Sequence, residues 1–183
     1  MPEPTRREVA DQDAYLLRRQ REFRLAAEYV ARYCSRVPQV LKVALFGSVR
    51  GALWAEVPRF REYRRAGVEV LHECKDVDLA VWLTDLGCLR ELQKARSRAV
   101  NELLRERGIG VAHHQVDVFI MEPGTDRYLG RLCVFAKCPK EGREECLAPG
   151  CGATPWLAQH EDFALRPEAL RTAVLLFDRS AQT

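Results

Sequence analysis

Three aspartates in apolar surroundings carry the strongest chemical signal in this sequence. Asp76 and Asp78 bracket Val77 at the head of the run VDLAVWL, and Asp117 sits inside QVDVFIM between Val116 and Val118. Side chains two residues apart on a strand share a face, so Asp76 and Asp78 can project together while Val77 turns to the core. Asp117 could meet them from a neighbouring strand. Burying an unpaired carboxylate costs several kcal/mol, and three that converge repel one another unless a cation neutralises them. Mg²⁺, a hard cation that takes oxygen ligands, suits that donor set. The competing assignment is ordinary: Asp-Val-Asp at a strand start also serves as a solvated edge or a local cap.

A second feature lies upstream. VALFGSVRG, Val43–Gly51, is apolar up to Gly47-Ser48 and basic just after it. A lone Gly-Ser after a strand is most often a turn. It also suits an anion, because glycine lets backbone N–H groups approach a phosphate, the serine hydroxyl adds a donor, and a following helix N-terminus favours negative charge.

These residues need strands to position them, and the patterning supplies candidates. Leu16, Leu17, Phe23, Ala27, Val30 and Cys34 fall near helical spacing and predict an amphipathic helix over residues 13–36. Pro38 biases Val37 away from helical angles, and Val40–Phe46 then reads as a buried strand. Residues 51–75 give a mixed signal, partly helical with a break at Pro58, then alternating in VEVLHE. Val77–Leu83 and Gln115–Met121 predict two more strands, separated by a helix marked by Leu89, Leu92, Leu103 and Leu104 and closed by Gly108. Pro123-Gly124 turns the chain, and AVLLFD near the C-terminus predicts a last strand or a helix end. The alternation implies an α/β or α+β fold, a mixed sheet flanked by helices within a single domain over residues 1–183.

Taken in order, Gly47-Ser48, Asp76-Val77-Asp78 and Asp117, each attached to an apolar strand, resemble the nucleotidyltransferase superfamily typified by DNA polymerase beta, and its minimal members in particular. The likeness covers a core at residues 41–122, with residues 53–75 as an insertion that lengthens the usual spacing between the first two motifs. The resemblance implies a nucleotidyltransferase-type sheet and transfer of a nucleoside monophosphate from an NTP to an acceptor hydroxyl, with release of pyrophosphate. It implies that Gly47 and Ser48 bind the triphosphate, with Arg50 in the basic-glycine pair Arg50-Gly51 beside them. Asp76 and Asp78 would hold two Mg²⁺ ions, and Asp117 would complete one metal site beside the acceptor. The acceptors it admits are a protein side chain, a tRNA end or a small molecule.

The seven cysteines are an odd number, which argues against a secreted disulfide framework. Cys34, Cys74 and Cys88 lie in apolar stretches and read as small buried hydrophobes. Cys133, Cys138, Cys146 and Cys151 instead form two pairs, each with four residues between its members, amid Pro and Gly. Four thiolates can close a tetrahedral Zn²⁺ site of structural type, which predicts a zinc loop over residues 133–160. His160 is the substitute ligand if Cys133 is merely buried, and a set of free or redox-active cysteines is the alternative. His113 and His114 read as a pair at the start of the third strand, one ring packed and one solvated. RFREYRR, Arg59–Arg65, could bind nucleic acid by phosphate contact and stacking, or form a solvated basic face.

A chain of 183 residues, 47% hydrophobic and 30% charged, has room for one real core. The net charge of +3 is too mild to declare a nucleic-acid partner. No apolar run approaches the roughly 20 residues of a membrane span, and MPEPTRREVADQD lacks the apolar centre of a signal peptide. The expectation is a soluble, cytoplasmic protein with no membrane partner. A second functional expectation stands beside the enzyme: a non-catalytic, zinc-containing module that binds nucleic acid or a protein.

Overall fold

The computed structural model describes residues 3–159 and 163–182. Helix α1, Arg6–Cys34, starts earlier than its apolar spacing predicts. Thr5 and Glu8 form a capping box there, the Glu8 amide donating to Thr5 Oγ1 at 3.3 Å and the Thr5 amide to Glu8 Oε2 at 2.7 Å. The helix ends at Cys34, ahead of Pro38.

Six strands build the main sheet: β1 Val40–Phe46, β4 Val77–Leu83, β5 Val116–Met121, β6 Tyr128–Leu132, β7 Leu157–Ala158 and β8 Val174–Asp178. A separate two-stranded hairpin pairs β2, Ala55–Glu56, with β3, Val70–Leu71. The sheet order is β7-β6-β5-β4-β1-β8. Only β4 and β5 run parallel, and their crossover is helix α3, Leu89–Arg107, which Gly108 closes in the left-handed region. The architecture is therefore α+β, a mixed sheet flanked by helices.

Strand alternation gives the sheet two different faces. Val43, Leu45, Val77, Leu79, Val81, Val116, Val118 and Ile120 pack with Phe23, Ala27, Val30, Leu92 and Leu103 of α1 and α3. On the other face Phe46, Ala80, Phe119 and Met121 form a smaller cluster, covered by Phe163, Leu165 and Leu170 from the segment that contains helix α4, Pro167–Arg171. Phe46 and Phe119 meet edge to face at 4.9 Å.

Several elements depart from the sequence-based expectation. AVLLFD is a strand, β8, on the open side of β1. The alternation in VEVLHE yields only Val70–Leu71 as strand, and the segment before it carries helix α2, Arg61–Ala66, beyond Pro58. The third strand begins at Val116, because His113–Gln115 form a 3₁₀ turn. Strand β6 lies just before the cysteine segment, where no strand was expected, and its Gly130 is required by crowding: a Cβ there would sit 2.6 Å from the Ala158 carbonyl oxygen. Among the described residues, no helix is long and apolar enough to cross a membrane.

Candidate functional site

Asp78 and Asp117 stand opposite one another in the parallel register of β4 and β5, and Phe46 stands opposite Asp78 on β1. The two-residue period puts both carboxylates on the face of Phe46, Ala80 and Phe119, away from α1 and α3. Asp78 is raised from the ordinary 3.8 to about 6, first by burial, then by the charges of Asp117 and Asp76, with Arg131 acting the other way. The charges of the other two aspartates singled out from the sequence are thus both felt at Asp78, although among the described residues the three carboxylates do not close on a point that could hold a metal ion.

The Gly-Ser turn lies directly against Asp78. Gly47 has φ 74° and ψ −162°, backbone that favours glycine, and a Cβ there would overlap the Asp78 carboxylate. Ser48–Arg50 form a 3₁₀ turn whose carbonyls are tied to α1. Gln20 Nε2 donates to the carbonyls of Ser48, Val49 and Gly51 at 3.3, 3.3 and 2.7 Å. Arg24 donates from Nε to Val49 at 2.7 Å and from Nη2 to Gly51 at 2.8 Å. The Ser48 hydroxyl meets the Cys74 thiol, whose titration burial pushes up. Arg50 belongs to the same turn and is half-buried.

Arg131 is a site residue that the sequence did not reveal. It stands on β6 opposite Phe119, and its Nη1 donates to Asp117 Oδ2 at 2.8 Å. The guanidinium lies 4.8 Å from the ring centres of both Phe119 and Phe163, and its buried Nε has no partner among the described residues. A cation therefore already stands beside the carboxylates. The donor set itself, oxygen-only and crowded enough to raise Asp78, fits a hard divalent ion.

Cys34, Cys74 and Cys88 are buried thiols, as expected. Burial pushes Cys34 up to about 12 and Cys88 to about 11. Cys133, Cys138, Cys146 and Cys151 all line one cavity of about 260 Å³, walled also by Trp156 and reaching Asp117 and Arg131. The Phe135 amide donates to the Cys133 sulfur and the Ala148 amide to the Cys146 sulfur. Cys146 also hydrogen-bonds Cys151. Among the described residues, no group of three or more His, Cys, Asp or Glu side chains closes on a point that could hold a metal ion. The cysteines surround a cavity without converging, so a closed zinc site requires them to draw inward. His160 lies outside the described residues.

The insertion adds a second cleft. Trp54 stacks on His72 at 4.0 Å, and His72 Nδ1 lies 2.9 Å from Glu56 Oε1. A cavity of about 330 Å³ runs from Leu16 of α1 past Val57, Phe60 and His72 to Lys75, the neighbour of Asp76. In RFREYRR, Arg59, Phe60, Arg61, Arg64 and Arg65 are exposed. His113 is half-buried and His114 exposed. No protein-family model, curated protein or solved structure matches this chain.

Proposed function

We propose that this protein is a Mg²⁺-dependent nucleotidyltransferase that moves a nucleoside monophosphate from an NTP to an acceptor hydroxyl and releases pyrophosphate. One observation carries the reading: the Gly47 turn rests on the Asp78 carboxylate, and Asp78 faces Asp117 across the parallel strand pair. The proposal includes a nucleotidyltransferase-type core and a structural Zn²⁺ held by Cys133, Cys138, Cys146 and Cys151.

In this reading Asp76, Asp78 and Asp117 hold Mg²⁺, which when bound neutralises phosphate charge and stabilises the entering and leaving oxygens of an in-line displacement. Gly47 lets the chain approach the triphosphate closely, while Ser48 and Arg50 offer it a hydroxyl and a positive charge. Gln20 and Arg24 hold the turn's carbonyls on the α1 side, which keeps those acceptors away from an anion. The acceptor oxygen attacks the α-phosphorus, the bond to the bridging oxygen breaks, and pyrophosphate leaves. Asp117 orients the acceptor hydroxyl and takes its proton. Arg131 keeps Asp117 aimed into the site through its 2.8 Å bond. The cleft between α1 and the insertion opens beside Asp76 and is the place for the acceptor.

The same Arg131–Asp117 pair favours a second reading, in which arginine is the permanent cation and the chain is a non-catalytic module that binds nucleic acid through Arg59–Arg65. Titration of the protein with each NTP, with and without Mg²⁺, separates the two. The enzyme reading expects Mg²⁺-dependent binding that Asp78→Ala abolishes without loss of helical content. Binding of no NTP under any condition sinks it. The module reading expects nucleic-acid binding that survives Asp78→Ala and weakens steeply with salt.

A further inference from the structure

Arg96, on the inner side of α3, is wholly buried at 0% exposure. Its Nη2 donates to the Cys133 carbonyl at 3.0 Å, while Nε and Nη1 are buried without a partner among the described residues. A guanidinium stays protonated in proteins, and a buried charge with no counter-ion is strongly destabilising. Something must balance it. The ionisable groups that face it are Cys133, Cys34 and Asp117. Cys34 remains a neutral thiol, because burial holds it at about 12. Asp117 is engaged by Arg131 at 2.8 Å. Cys133 and the cysteines gathered with it are left.

We infer that Arg96 is the built-in counter-charge of an anionic, four-cysteine zinc centre formed by Cys133, Cys138, Cys146 and Cys151, an inference that rests on the zinc reading above. Binding one Zn²⁺ to four thiols releases four protons, changes no oxidation state and leaves a centre of net charge −2. The cavity already carries the donors that such a centre uses. In each cysteine pair the first sulfur accepts a hydrogen bond from the amide two residues on, Phe135 to Cys133 and Ala148 to Cys146. Hydrogen bonds of this kind favour the charged sulfur. Lys140 adds positive charge near Cys146. Helix α3 holds the loop at two successive turns, Gln93 Nε2 donating to the Phe135 carbonyl at 3.0 Å and Arg96 to Cys133. Cys133 is therefore a ligand, and the N–H donors on Nε and Nη1 of Arg96 are the outer-shell donors that await sulfur.

The test uses the full chain purified under reducing conditions. Wild type should hold one equivalent of zinc and, loaded with Co²⁺ instead, show the intense sulfur-to-metal absorption of a four-thiolate site; Cys146→Ser should lose it. Arg96→Met, which keeps volume and removes charge, should weaken zinc binding about tenfold to hundredfold in chelator competition, whereas Arg96→Lys stays close to wild type. Metal-free Arg96→Met should melt at or above the temperature of metal-free wild type, while the zinc-loaded variant melts below zinc-loaded wild type. An arginine that is merely structural would lower both. Equal losses in both states, or zinc affinity indifferent to the charge, overturn the inference and leave the zinc centre standing. Should Arg96→Met fail to fold, full loss of zinc affinity in Arg96→Lys overturns it equally. Zinc below about half an equivalent in wild type overturns the centre as well, and none of these results touches the Mg²⁺ and NTP titration.

Discussion

At Asp78 the requirements of a site and of a stable fold conflict. The carboxylate is raised to about 6 because burial, Asp117 and Asp76 all disfavour its charge. A raised carboxylate contributes stability that is fully present below its unfolded value of 3.8 and is lost as pH climbs through about 6. With metal chelated, wild type should therefore lose up to about 3 kcal/mol relative to Asp78→Asn between about pH 4 and 7. Urea titrations of both proteins across that range measure the difference directly. A gap that does not change with pH would show that the Asp78 charge is already compensated. Added Mg²⁺ should shrink the gap only above about pH 6, since the ion needs the deprotonated carboxylate.

Among the elements, α1 does more than supply one side of the core, because Gln20 and Arg24 reach from it to the turn that follows β1. Arg24→Met removes two hydrogen bonds from a charged donor, which are worth about 1.5–3 kcal/mol each where they are buried. The expected result is a tenfold or larger loss of Mg²⁺-dependent NTP affinity, at about 1.4 kcal/mol per decade, with the main unfolding transition intact. Unchanged affinity would mean that the turn holds its shape unaided. The elements that form this contact were legible in the sequence. Strands β1, β4 and β5 are apolar runs, and α1 and α3 show a helical stripe, so these elements followed from period, whereas the meeting of Gly47, Asp78 and Asp117 was implied only by the family resemblance, because period does not say which strands pair. Strand β6 was not legible: YLGRL is short, carries a glycine in its middle and depends on β7 crowding against Gly130. Arg131 was hidden with it, since an arginine gains meaning only once its strand lies beside Asp117. The early start of α1 was written in Thr5 and Glu8, a local signal that an apolar-spacing criterion passes over. The cysteine pairs were visible, but their common cavity also reaches Asp117 of β5, and Gln93 of α3 holds the loop, contacts between residues far apart in the chain.

Over the whole molecule the two proposed metals belong to different parts of one sheet. The carboxylates sit on strands whose other face is sealed by α1 and α3, in a core that includes Phe23, Val30, Leu79, Leu92 and Val118. The cysteine loop joins the margin of that core through Leu132, Trp156 and Leu157, with Cys133 and Cys138 packed against it, at the β6–β7 edge, where strands are short. Segments with few paired strands and exposed backbone open locally at low free energy, whereas central strands open only with global unfolding. Removal of zinc should therefore lower hydrogen-exchange protection over residues 133–158 and the adjoining turns of α3, while β1, β4 and β5 keep the protection of the global transition. Mg²⁺ with NTP should do the opposite, protecting Gly47–Gly51 and the start of β4 and leaving the cysteine loop unchanged. Exchange followed by mass spectrometry in the two conditions reads both effects at once. If chelation instead releases the central strands, zinc is part of the main core, and the carboxylate face does not fold without it.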